Sequence, residues 1–321
     1  MSVDRLSRYR GALLGLACGD AIGGPLEFCP RPRVVPVTGL RGGGKFGLAP
    51  GEWTDDTAMA LCLADSLLAC GGLDPQDQMQ RYWRWAENGE NGTRDKGFGL
   101  GKTVLQALFV WRRSGNPLAG PTAPHTAGNG SLMRLAPVVL WAGGDIARAV
   151  PAAAESSLTT HGAAEAVDAC RLLAVVLCNA LAGKPREQLL DGAQEVVREP
   201  AIQALAQGHW RDKSVDRITG SGYAVASLEA ALWCMHHHDS YAATVLAAAN
   251  LGDDADTTAA IAGQIAGALY GEQGIPADWR AALLQADAIG MRAVELLTMA
   301  TATGHGSEEE AVCAATRHTY A

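Results

Sequence analysis

Two stretches of the chain concentrate groups that can do chemistry. Gly51-Glu52-Trp53-Thr54-Asp55-Asp56-Thr57 and Gly252-Asp253-Asp254-Ala255-Asp256-Thr257-Thr258 each set a hydroxyl and at least two carboxylates at the mouth of an apolar, alanine-rich segment. Carboxylates that close repel one another and are costly to bury unless a positive charge sits between them. A hard cation, or two, meets that need, and oxygen donors suit magnesium, calcium or manganese rather than zinc. Thr and Asp are also favoured helix N-caps, and Asp in a first turn complements the helix dipole, so either stretch alone reads as a cap. One carboxylate satisfies a cap, however. Asp55 with Asp56, and Asp253 with Asp254 and Asp256, leave acid to spare.

Helices must position these turns, and the spacing of apolar residues predicts them. Asp4 to Ala21 reads as a helix that Gly19-Asp20 and Gly23-Gly24-Pro25 break, after which the backbone turns tightly and presents Glu27. Pro30 to Pro50 is rich in Pro and Gly and reads as a long exposed loop, of the kind that covers a site. Thr54 to Ala69, Asp77 to Ala86 and Leu100 to Arg113 follow as helices, with a polar loop from Glu87 to Gly99. Gly128-Asn129-Gly130-Ser131 is expected to open another helix, bent or interrupted by Pro137. Further helices are expected over Ile146 to Leu158, His161 to Ala182, Arg186 to Arg198, Gly222 to Met235, Tyr241 to Leu251, Asp256 to Tyr270 and Ala277 to Met299. With no alternating run of strand length and no convincing linker, the chain is expected to be all-α and one domain over residues 1–321, its polar chemistry held in loops.

The totals narrow the function. A net charge of -8, with no basic stripe, argues against a nucleic-acid groove, although helix N-termini can still hold a small anion. The 8 cysteines show no paired metal spacing and sit mostly among Ala, Leu and Val, which fits reduced thiols in a cytoplasm. The charged start, Met1 to Arg10, has no signal-peptide pattern, and every apolar run is interrupted before membrane-spanning length, so a soluble cytoplasmic protein is expected. His236-His237-His238 resembles a metal tract but follows a predicted helix end, where cations are ordinary. Trp83, Trp85 and Trp111 are expected in the core.

Five ordered pieces span nearly all of the chain: Gly11 to Phe28 (GALLGLACGDAIGGPLEF), Gly51 to Leu61 (GEWTDDTAMAL), Gly128 to Val138 (GNGSLMRLAPV), Thr160-His161, and Ser221 to Gly271 with NLGDDADTTAAIAGQ at its centre. Together they resemble the ADP-ribosylglycohydrolase family, which includes the dinitrogenase-reductase-activating glycohydrolases of bacteria. The resemblance implies a compact all-α fold with two divalent cations, Mg2+ or Mn2+, in a cleft. Thr54, Asp55, Asp56, Asp254, Asp256 and Thr257 would be the metal ligands, and Glu27 the catalytic carboxylate. Gly128, Asn129, Gly130, Ser131, Met133 and His161 would hold the diphosphate and ribose side of ADP-ribose, and Ser221, Gly222 and Tyr223 would lie near the adenine end. Phe98 and Gly99 would lie near the leaving group. Gly99 stands where arginine-specific bacterial members carry an Asp, which leaves the leaving group open. Asp253 is an extra acid beside the second metal motif, a ligand-supporting group or a cap.

The reaction this implies is hydrolytic release of ADP-ribose from a modified protein, arginine being the first choice of acceptor, by a monomer that binds neither nucleic acid nor membrane. Water would attack the anomeric carbon through an oxocarbenium-like transition state, with Glu27 moving a proton. Alternatives are hydrolysis of serine-linked or small-molecule conjugates, a catalytically idle ADP-ribose binder, and a phosphohydrolase cutting the diphosphate.

Overall fold

The computed structural model describes residues 3–302; the Glu308-Glu309-Glu310 run, expected as a solvated terminal helix, and Cys313 lie outside them. The helices are α1 (Arg5–Gly23), α2 (Asp55–Cys70), α3 (Pro75–Asn88), α4 (Lys102–Ser114), α5 (Ala136–Trp141), α6 (Ile146–Leu158), α7 (Ala164–Leu181), α8 (Ala193–Val196), α9 (Pro200–Ala206), α10 (Ala224–His237), α11 (Tyr241–Ala249), α12 (Ala255–Tyr270), α13 (Ala277–Ala282) and α14 (Ala286–Ala302). Among the described residues β-structure amounts to two isolated bridges, Gly43 to Leu48 and Gly128 to Tyr223, so the fold is all-α as expected. No helix among them is long and apolar enough to cross a membrane. Their seven cysteines are unpaired.

The centre of the fold is the pair α1 and α12. Every residue from Gly11 to Gly23 and from Ala255 to Ala268 is buried, as befits helices that are apolar on all faces. Gly11, Gly15, Gly19 and Gly23 recur every fourth residue and so form one stripe along α1. A Cβ on them would lie 2.2 Å from the Gly267 carbonyl oxygen, 2.4 Å from Gly263, 2.2 Å from Ala259 and 2.3 Å from Ala255, respectively. The helices therefore run antiparallel at backbone contact. The C-terminal end of α1, with Asp20 and the Glu27 turn, meets the N-terminal end of α12, with Asp254 and Asp256.

Several expectations are corrected. Gly19 and Asp20 do not break the first helix, which continues to Gly23: the roughly 1 kcal/mol that a helical glycine costs is outweighed by the approach it permits. The expected helix over Arg186 to Arg198 is reduced to a 3-10 turn and the short α8, and α9 follows unforeseen. The helix over Ala277 to Met299 is split in two. At the split the Leu284 N–H donates to the Gly51 carbonyl, the Leu284 carbonyl accepts from Trp53 Nε1, and Gln285 takes a left-handed φ of 59°. Pro137 neither bends nor interrupts a helix; it begins α5, where its missing N–H costs nothing.

Candidate active site

The acid turns are assembled by groups that are not themselves at the surface of the site. Asp20, fully buried in α1, accepts from Thr54 N at 3.0 Å, Thr54 Oγ1 at 2.9 Å, Thr57 N at 3.0 Å and Thr57 Oγ1 at 2.6 Å. It thus caps α2 from another helix, and the side chains of Thr54 and Asp254, at the N-cap positions of α2 and α12, make no capping bond of their own. Capping therefore does not account for these acids. Sequence reading missed Asp20 as a site residue. Its signal was a lone carboxylate inside an otherwise apolar segment.

The Glu27 turn is tied to the second acid turn by backbone. Phe28 N–H donates to the Asp253 carbonyl at 2.7 Å, and Asp253 N–H to the Cys29 carbonyl at 2.8 Å, with both Phe28 (φ 62°) and Asp253 (φ 56°) left-handed. Asp253 contributes this backbone, and its side chain is exposed. Asp254 N–H continues the tie to the Gly220 carbonyl at 2.7 Å, bringing Ser221 and Gly222 alongside. The Asp254 Oδ2 accepts from Asn129 Nδ2 at 2.7 Å, which joins the Gly128–Gly130 turn to the same acids.

Glu27, Asp254 and Asp256 each offer a carboxylate oxygen, and these oxygens lie within 4.8 Å of one another. Burial, and then the negative charges around them, push Asp55, Asp56 and Asp256 well above the usual carboxylate range; Asp56 is the leading electrostatic neighbour of Asp256. Burial pushes Glu27 up to about 7 against a hydrogen bond shared with Asp256, while Asp254 and Asp20 repel it and Lys45 attracts it. Glu27 Oε2 and Asp56 Oδ1 are buried without a hydrogen-bond partner. Buried carboxylate oxygens are rarely left so. An oxygen-only donor set with orphaned atoms fits a hard divalent ion, and Glu27, Asp254 and Asp256 are the residues whose oxygens lie close enough together to hold one, with Asp56 as the leading further charge beside Asp256.

These acids open into a cleft of about 770 Å3. Of the residues expected in the site, Glu27, Asp55, Asp254, Asp256, Thr257, Gly99, Gly128, Asn129, Gly130, Met133, His161, Ser221 and Gly222 line it. Thr54 and Asp56 lie behind that surface, almost fully buried. Ser131 turns inward, its Oγ accepting from Ser157 Oγ at 2.8 Å. Tyr223 pairs by backbone with Gly128, and its hydroxyl donates to Glu165 at 2.5 Å. Phe98 packs edge-on against Phe46, which packs against Phe28, and of the three it is Phe28 that lines the cleft. The strand of loop and helix start from Leu100 to Val104 forms a wall that sequence reading left unassigned.

Gly99 is pinned. Its φ is 82°, and a Cβ there would stand 2.2 Å from Asp55 Oδ1. The Gly128–Ser131 segment is corrected: it is a run of turns that precedes α5, not a helix start. Met133 N–H and Leu132 N–H both donate to the Asn129 carbonyl, whereas the Gly130 and Ser131 N–H groups have no acceptor among the described residues. Two open N–H groups in a glycine turn still make an anion site. The expected histidine tract is a helix end: His237 and His238 place Nδ1 against the Trp233 and Cys234 carbonyls at 3.0 and 2.9 Å.

The family model described as ADP-ribosylglycohydrolase matches residues 1–318. The "ADP-ribosylarginine hydrolase Tri1" of Pseudomonas putida (strain GB-1) is 45% identical over 274 residues, 85% of this chain and 73% of that one. The protein of the same name from Serratia proteamaculans (strain 568) is 40% identical over 298 residues, covering 92% and 81%. A solved structure titled "ADP-ribosylglycohydrolase-related protein complex" superposes with a TM-score of 0.82 at 40% identity, covering 92% of this chain and 98% of that one.

Proposed function

The chain belongs to the ADP-ribosylglycohydrolase family, a family of enzymes that hydrolyse a glycosidic bond, and from that premise we propose that it removes ADP-ribose from modified arginine side chains of protein. The observation that carries the reading is one cleft holding both the acid cluster with its orphaned oxygens and the glycine turn with its open N–H groups. The first suits a ribose diol beside divalent ions, the second a diphosphate. We assign two ions, Mg2+ or Mn2+, to Thr54, Asp55, Asp56, Asp254, Asp256 and Thr257; when bound they supply Lewis acidity toward the ribose hydroxyls and water. In the reaction a water oxygen bonds to the anomeric carbon while its bond to the guanidine nitrogen breaks. Left out of that ligand set, Glu27 takes the proton from water and returns it to the departing nitrogen.

The relatives named as arginine hydrolases favour arginine as acceptor. No carboxylate stands at position 99 to meet the guanidinium, and the crowding against Asp55 leaves no room for one. The acceptor side is instead bounded by Phe28, whose ring carries the Lys45 ammonium 4.0 Å from its centre. We read one catalytic domain acting as a monomer in a reducing cytoplasm, in keeping with the unpaired cysteines among the described residues.

Incubation of arginine-ADP-ribosylated protein with the enzyme and Mg2+ or Mn2+ tests the reading. Intact ADP-ribose is the expected product. Cleavage of serine-linked conjugates alone would remove the arginine assignment, and AMP with ribose phosphate would replace glycosidic by pyrophosphate cleavage. Asp56→Ala or Asp256→Ala is expected to abolish metal binding and turnover together.

A further inference from the structure

We propose that Arg134 and Thr160 are positioning residues that hold His161 as the tautomer with its proton on Nε2, aimed as a fixed donor at an anionic diphosphate seated in the Gly128–Gly130 turn. The proposal rests on the reading of the cleft as an ADP-ribose site.

Arg134 is fully buried, and no carboxylate among the described residues pairs with it. Its guanidinium donates from Nη1 to the Gly130 carbonyl at 2.9 Å and from Nη2 to Thr160 Oγ1 at 2.7 Å, and it lies 4.6 Å from the centre of the Tyr82 ring. A charge buried that deeply is ordinarily paired. Here the missing negative partner would be the ligand, since the guanidinium lies directly behind the glycine turn.

The hydrogen-bond inventory then fixes the imidazole. A guanidinium has donors only, so Thr160 Oγ1 accepts from Arg134. The hydroxyl keeps one hydrogen, and its remaining polar neighbour is His161 Nδ1 at 2.8 Å. Accepting a second time from Nδ1–H would leave the buried hydroxyl hydrogen unpaired, so Thr160 donates to Nδ1, which leaves Nδ1 bare and puts the ring proton of the neutral form on Nε2. Burial, and then the Arg134 charge, push His161 down to about 3, and no acidic group offsets them, so the ring stays neutral at working pH.

Nε2 has no partner among the described residues and faces the turn. A Cβ added at Gly130 would lie 3.0 Å from it, and one at Gly128 would lie 3.3 Å away. The same Arg134 that sets the tautomer holds the Gly130 carbonyl inward, and a trans peptide then turns the Ser131 N–H the opposite way. One buried cation so orients a side-chain donor and a backbone donor toward one anion.

Histidine 15N NMR of the Mg2+-loaded protein, read with calorimetry of ADP-ribose binding, tests the idea in wild type, Thr160→Val and Thr160→Ser. The wild type is expected to show a bare Nδ1 and a protonated Nε2 on His161 from pH 5.5 to 8. Thr160→Val should lose that preference, bind ADP-ribose about tenfold more weakly and raise KM with kcat little changed, and Thr160→Ser should restore all three. A wild-type proton on Nδ1, or a Thr160→Val protein with unchanged tautomer and unchanged affinity, overturns the proposal. Should the wild type show the Nε2 proton yet fail to bind ADP-ribose, the functional reading falls and the relay stands. Arg134→Lys keeps the charge but loses the planar fork that reaches both Gly130 and Thr160, and is expected to fall between wild type and Thr160→Val.

Discussion

Gly263→Ala sets two effects of opposite sign against each other. Alanine is the better helix former by about 1 kcal/mol, so local propensity alone predicts a more stable protein. The added Cβ, however, would stand 2.1 Å from the Gly15 carbonyl oxygen. Carbon and carbonyl oxygen rest at about 3.3–3.6 Å, so one backbone must retreat by roughly 1 Å. Helices held in contact at four successive levels cannot yield at one level alone, and the displaced length loses close packing as well. Overpacking of a full core costs about 1–3 kcal/mol, and a shared backbone contact belongs at the upper end, for a net loss of about 2 kcal/mol after the propensity gain. At roughly 2–4 °C per kcal/mol the melting temperature should fall by about 4–8 °C. Differential scanning calorimetry with and without Mn2+ reads the effect, and the ion's stabilisation should shrink, because Asp256 and Asp20 sit on opposite members of the pair. An unchanged or raised melting temperature would refute the claim that α1 and α12 meet backbone to backbone.

Asp20→Asn keeps the shape but replaces one of the two acceptor oxygens facing Thr54 and Thr57 by a donor; metal affinity by titration calorimetry should fall at least tenfold, and turnover with it. Stability of the metal-stripped protein should fall as pH rises. Glu27 keeps its proton in the folded state up to about 7 against an ordinary value of 4.5, so its contribution is complete below about 4.5 and lost across that window, about 3 kcal/mol in all. Urea melts in EDTA at pH 5.5 and 8 check the sign, and saturating Mg2+ should remove most of the difference. Gly99→Asp would force a second carboxylate onto Asp55 and a side chain into a left-handed backbone, and should lower kcat/KM at least a hundredfold with either arginine- or serine-linked substrate.

Surplus carboxylate in the residue types marked each of the two acid turns, and the resemblance to the family joined them into one site. The sequence also showed the order of most helices. It did not show why the turns meet. The stripe of Gly11, Gly15, Gly19 and Gly23 has perfect helical spacing, yet a search for apolar periodicity reads glycine as punctuation, and the Gly19-Asp20 pair was expected to end the helix it continues. Asp20 escaped notice because its partners, Thr54 and Thr57, are distant in sequence. The split at Leu284 was illegible for the same reason, as both its backbone groups are taken by Gly51 and Trp53 rather than by neighbours. Arg134 and Thr160 flank residues already suspected, but only the three-dimensional bonding pattern distinguishes a relay from a pair of polar neighbours.

The pairing of α1 with α12 also bears on how the protein is made. α1 leaves the ribosome well before its partner α12. Until that second helix emerges, a ridge bared of side chains and a solitary Asp20 have nothing to close upon. Closure of the acid cluster thus waits on α12, and the intervening helices must be sheltered or self-supporting until then. A site assembled this way has no half-formed precursor: its two halves stay apart until α12 has emerged.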